Sequence, residues 1–165
     1  MRTASANKRR DVVAKMKTIT SMIEHQLWAN AEITRRLQLG ELDDAGQLRL
    51  LRHMAIAEQV WLLRLQGKGT LHLQLWEDGD AGETLRLMQA NAQGYRLYME
   101  QLTEEELERI VNYTNQQGQP FQTPVRDILL QVALHGQYHR GQLNRRIVEL
   151  GEKPAVFDYI VYARS

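Results

Sequence analysis

Between Thr18 and Leu39, apolar residues recur at three- and four-residue steps: Ile19, Met22, Ile23, Leu27, Ile33 and Leu37. Gln26 and Asn30 share their stripe. This spacing predicts an amphipathic helix, and Gly40 supplies its stop. A second helix is expected from a cap at Asp43 or Asp44 to about Gln66, ahead of Gly67 and Gly69, with Leu50, His53, Ala57 and Val60 on one face. On it, Glu58 and Gln59 are expected to face solvent, while Trp61, Leu62 and Leu65 spread over more faces than one core can cover. A third helix fits Ala81 to Leu102, with Leu85, Met88, Ala92, Tyr95 and Met99 inward. The fourth runs from Pro124 to Leu150 on Val125, Ile128, Leu129, Val132, Leu143 and Ile147. Thr123 and Pro124 suit its N-cap and first position, and Gly151 ends it.

The connections have their own character. Residues 67–80 carry three glycines and Trp76, and a link of that length suggests a crossover between helices two and three. Glu104 to Glu106 opens a short polar turn. Ile110, Val111 and Tyr113 then alternate before the turn Gln116-Gln117-Gly118-Gln119, which predicts two short strands or an extended loop. The expected fold is therefore all-α, a four-helix bundle with a long crossover between helices 2 and 3. Residues 1–15, with Lys8, Arg9, Arg10 and Lys15, are expected to form a flexible basic extension, and residues 16–165 a single domain.

Composition narrows the chemistry. The formal net charge is +1, so no strong field or basic stripe points to nucleic acid or an anionic membrane. No apolar run approaches the roughly 18 residues of a span, and the basic start lacks the apolar core of a secretory signal. A cytoplasmic location is the resulting expectation. The chain has no cysteine, which excludes a thiolate metal site and a cysteine nucleophile. Any thiol chemistry must use a thiol brought from outside.

His135 and His139 fall on the apolar stripe of the fourth helix, where Leu or Ile is expected, and four residues apart they project from one face. Two imidazoles converging on a core are costly unless they find hydrogen bonds or a metal. Such a pair alone is more often two separately satisfied histidines, and the intervening Gly-Gln-Tyr lacks the glutamate of a zinc-protease motif. His53, on the apolar face of the second helix, could complete a site with them. Three neutral imidazoles suit a divalent ion, Zn²⁺ or Ni²⁺ first and Fe²⁺ or Mn²⁺ next, and leave positions open for water or substrate. His25, Trp28 and Tyr138 are candidates to shape a pocket, as are Tyr95 and Tyr98, although packing is the plainer role for each.

Three segments resemble the DinB-like family of metal-binding four-helix bundles, which includes bacillithiol- and mycothiol-dependent enzymes. They are Glu24-His25-Gln26-Leu27-Trp28-Ala29-Asn30, then Leu50 to Glu58 around His53, then Thr123 to Gly151 with its core His135-Gly136-Gln137-Tyr138-His139-Arg140-Gly141-Gln142. Asp158-Tyr159 is similar to the family's usual ending. The resemblance implies His53, His135 and His139 as ligands of a divalent metal. Many members carry a further histidine one turn before the pair, where this chain has Gln131. Arg140 and Gln142 match the motif, and structural roles are expected for both.

What the resemblance implies is a metal-dependent, thiol-dependent S-transferase acting on a small molecule, with a low-molecular-weight thiol as cosubstrate. A metal-dependent hydrolase using bound water is the alternative, though no second carboxylate base stands near the triad in sequence. A stress-induced metal- or ligand-binding protein without turnover is a third. A homodimer is also expected, from the resemblance and from the apolar Trp61, Leu62 and Leu65.

Overall fold

The computed structural model describes residues 2–165, with side chains from residue 13 onward. Most of the stretch expected to form an N-terminal extension lies outside the residues whose side chains are described. The elements are α1 (Arg2–Gln38), α2 (Ala45–Leu65), α3 (Ala81–Glu100), a short α4 (Glu104–Glu108), a hairpin of β1 (Ile110–Thr114) and β2 (Pro120–Pro124), α5 (Val125–Glu149) and α6 (Tyr159–Tyr162). Asp44 caps α2 with a capping box closed by Gln47, and Gly40 at φ 70° ends the turn after α1. Thr123 belongs to β2 instead of capping α5, whose N-cap is Pro124 with no side-chain bond. The hairpin pairs Ile110 with Pro124 through to Thr114 with Pro120, delivering the chain to the start of α5.

Each of α1 and α2 packs against both α3 and α5. Ile19 and Ile23 of α1, Leu62 and Leu65 of α2, Tyr95 of α3 and Val125 to Ala133 of α5 build one apolar core. Ile33 and Leu37, Leu51 and Met54, Met88, Leu143 and Ile147 build the other. The order in which each helix visits the two cores fixes its direction: α1 and α5 run one way, α2 and α3 the other. Asn91 Nδ2 donates to Ala55 O, and Tyr95 Oη donates to Glu58 O, so position rises along α2 and α3 together. Parallel neighbours need a link that returns the full length of the helix, and residues 66–80 provide it. This is the expected crossover.

Helix α2 is buried on nearly every side. Leu62 and Leu65 lie in the core, and Trp61 packs edge-on against Tyr113 at 5.3 Å. The apolar residues that suggested a dimer face are thus largely occupied within the chain. Glu58 also departs from expectation: it is 6% exposed, not solvent-facing. Its Oε1 accepts from Gln26 Nε2 at 2.6 Å and Asn30 Nδ2 at 2.8 Å. Arg140 Nη1 donates to Gln26 Oε1 at 2.6 Å and Nη2 to Gln137 Oε1 at 3.0 Å. Burial drives the Glu58 carboxyl upward, opposed by those two amides and by Arg140. Burial also draws Arg140 down to about 10, opposed by Glu58.

A polar layer therefore separates the two apolar cores and joins α1, α2 and α5. Gly136 lets α1 approach, since a Cβ there would overlap the Gln26 amide. Removing one buried charge strands the other, at about 3–5 kcal/mol, whereas an apolar pair of similar volume is often tolerated. Glu58→Leu should destabilise the protein by that amount in urea denaturation. The double variant Glu58→Leu with Arg140→Met should recover most of the loss.

Candidate metal centre

The site is built from one helical turn of α5, one residue of α2 and the returning crossover. His135 and His139 stand one turn apart on α5, with Nε2 atoms 3.0 Å apart. His53 reaches them from α2, its ring centroid 4.8 Å from that of His139 and 5.4 Å from that of His135. One ring nitrogen of each lies within 4.8 Å of the others. His53 and His139 are buried and His135 is half-buried. The structure thus brings together all three histidines singled out in the sequence, and the group could hold a metal ion.

The outer contacts set which nitrogens face the centre. His53 Nδ1 lies 2.8 Å from Leu75 O, and a carbonyl only accepts, so Nδ1 carries the proton and Nε2 keeps a lone pair. His139 Nδ1 lies 2.7 Å from Gln142 Oε1, which assigns its Nε2 the same role. Arg140 and Gln142 therefore have the structural roles expected, one in the polar layer and one orienting a histidine. Nitrogens sharing one tetrahedral zinc stand roughly 3.3 Å apart, close to the His135–His139 spacing. The donor set fits a borderline cation that accepts imidazole nitrogen, and three side chains leave a coordination position open.

Aromatic walls bound the cluster. Trp76, from the crossover, stacks on His53 at 3.8 Å with the rings 4° from parallel. Tyr138 meets His139 edge-on at 5.0 Å and is itself largely exposed. Sequence reasoning placed Trp76 only in an irregular link; a tryptophan in a link of that length was the signal available. His25 and Trp28 lie elsewhere: His25 Nε2 donates to Phe157 O at 2.8 Å, and both rings pack against Tyr162 of the tail. Tyr95 holds Glu58 O, and Tyr98 donates to Glu106, so neither belongs to the cluster. The Glu58 carboxylate is engaged with α1, and no carboxylate joins the three-histidine group among the described residues.

Burial, then the neighbouring His139 and His53, lower His135 to about 4. Burial is also the main cause that lowers His53, against the Leu75 carbonyl, which raises it. Both rings are thus held neutral and ready to ligate. The folded, metal-free protein binds fewer protons than the unfolded chain wherever these histidines would otherwise titrate. Its stability should therefore be full above about pH 6.5 and fall as the pH drops from there toward 4. Urea denaturation of chelator-treated protein at pH 7 and pH 5 checks this, and His135→Leu should flatten the dependence.

The family model described as DinB family matches residues 45–165, from the start of α2 to the end of the chain. The chain is also 26% identical to "Protein DinB" of Bacillus subtilis (strain 168), in an alignment covering 86% of this chain and 91% of that protein.

Proposed function

The chain belongs to the DinB family, and we propose that it is a metal-dependent enzyme of the thiol-dependent S-transferase type, acting on a small molecule. The observation that carries this reading is the convergence of three histidine side chains in a chain that has no cysteine of its own. His53, His135 and His139 would hold one divalent ion, Zn²⁺ or Ni²⁺ by the preference of nitrogen donors. When bound, such an ion acidifies a coordinated thiol so that it is a thiolate at neutral pH.

The remaining work falls to the chain. The Leu75 carbonyl and the Gln142 amide hold the protons on His53 and His139 at Nδ1, so both rings present Nε2 inward without rearranging. Trp76 covers the face of His53, and Tyr138 meets the edge of His139.

Protein purified without an affinity tag should contain about one divalent ion per chain by elemental analysis, and Ala at any one of the three positions should remove most of it. Full occupancy in His139→Ala would sink the ligand assignment. Cobalt-loaded protein should show a sulfur-to-metal charge-transfer band on addition of a low-molecular-weight thiol, and His135→Ala should not. If wild type binds cobalt and a panel of thiols leaves its spectrum unchanged, bound-water hydrolysis or binding without turnover replaces the transferase reading.

A further inference from the structure

Beside the histidine cluster, a recess of about 680 Å³ is lined by Gly46, Arg49 and Leu50 of α2, Trp76 of the crossover and Arg146 of α5. Trp76 connects the two places, since the same indole that stacks on His53 forms the recess wall. Arg49 lies one helical turn before His53, roughly 6 Å along the axis. The wall is thus shared between the recess and the cluster.

The charges in the recess do not cancel. Arg146 is already engaged, with Nε and Nη2 each 2.9 Å from a carboxylate oxygen of Asp44. That carboxylate also accepts from the Gly46 and Gln47 amides, so it is committed to capping α2. Arg52, the next arginine along α2, pairs with Glu77. Arg49 has no ion pair among the described residues; its guanidinium sits 5.8 Å from the Trp76 ring centroid. One uncompensated guanidinium, an indole and a leucine thus share the recess with a fixed Arg146–Asp44 pair. At Gly46 the wall has no side chain to fill the space.

We propose that this recess is a binding site for a carboxylate on a small molecule with an apolar body, Arg49 taking the carboxylate and Trp76 with Leu50 the apolar part. Its role as a substrate subsite rests on the function proposed above, whereas carboxylate recognition does not. A guanidinium forms paired, charge-assisted hydrogen bonds to a carboxylate, and a neutral amide cannot replace that partner. The carboxylate belongs either to the thiol or to the molecule the thiol attacks, and the two sources are separable.

The test is calorimetric titration of the full-length, chelator-treated protein with 3-phenylpropionate and with its uncharged amide. The carboxylate should bind at least about tenfold more tightly, and Arg49→Gln should abolish the preference. Arg96→Gln, an exposed arginine on α3, should leave it intact. Equal binding of the two probes, or a preference that survives Arg49→Gln, overturns the proposal. On cobalt-loaded protein, 3-mercaptopropionate and 2-mercaptoethanol are then compared by the sulfur-to-metal band. An Arg49-dependent advantage for the mercapto-acid places the carboxylate on the thiol. Equal affinities, with the 3-phenylpropionate preference retained, place it on the second substrate. If wild type binds no cobalt but discriminates the phenyl probes through Arg49, the recess stands and the metal reading falls. A normal thiolate band without carboxylate discrimination has the opposite meaning.

Discussion

The structure depends on one buried polar layer. Arg140 lies fully buried between two apolar cores, and its partners come from α1 through Gln26 and from its own helix through Gln137. Glu58 of α2 completes the layer through the Gln26 and Asn30 amides. Apolar contacts alone are nondirectional, and two helices with long Leu and Ile stripes can slide by a turn at modest cost. A guanidinium and a carboxylate that share the same pair of amides cannot slide without leaving a buried charge unmatched. The layer fixes the axial register of α2 on α5, and register is what a site split between those helices requires. His139 is the residue before Arg140, and His53 is five residues before Glu58.

The second constraint is topological. Because α2 and α3 run parallel, the chain must return along α2 before α3 can begin, and the return passes the site. The returning residues touch α2 in sequence: Thr70 at Arg64, then Leu75 and Trp76 at His53, then Glu77 at Arg52. The crossover supplies both the carbonyl that fixes the tautomer and the aromatic face that desolvates the ring.

Periodicity made the four long helices legible, and glycine and capping chemistry gave most of their ends. Each of the three histidines occupies a position where its helix pattern demands an apolar residue, and the resemblance to the DinB-like family is what joined them into one ligand set. Glu58 breaks the apolar pattern in the same way as His53, yet was read as solvent-facing. A single carboxylate announces burial only through its partners, and those partners, Gln26, Asn30 and Arg140, lie on other helices or far along the chain. Trp76 and Leu75 could not be placed at all, because an irregular link has no period from which to read a facing direction. Tail residues carried the same ambiguity. His25, for which packing was the plainer reading, donates to the backbone of the tail at Phe157, a partner that no helical period could point to.

The centre is therefore made of two unlike halves. His135 and His139 are set by a single turn of α5, with Gln142 of the same helix orienting the second ring, so their relation survives as long as that helix does. His53 is set by contacts between α2 and a connection that has no secondary structure of its own, and its covering indole is 51% exposed. Segments of that kind open locally at lower free energy than packed helices. Motion at the centre should thus be concentrated on the His53 side, where Trp76 can withdraw without disturbing either core. That side also faces the recess lined by Arg49 and Trp76. The recess therefore borders the half of the centre that an irregular connection sets, while the histidine pair is set by α5 alone.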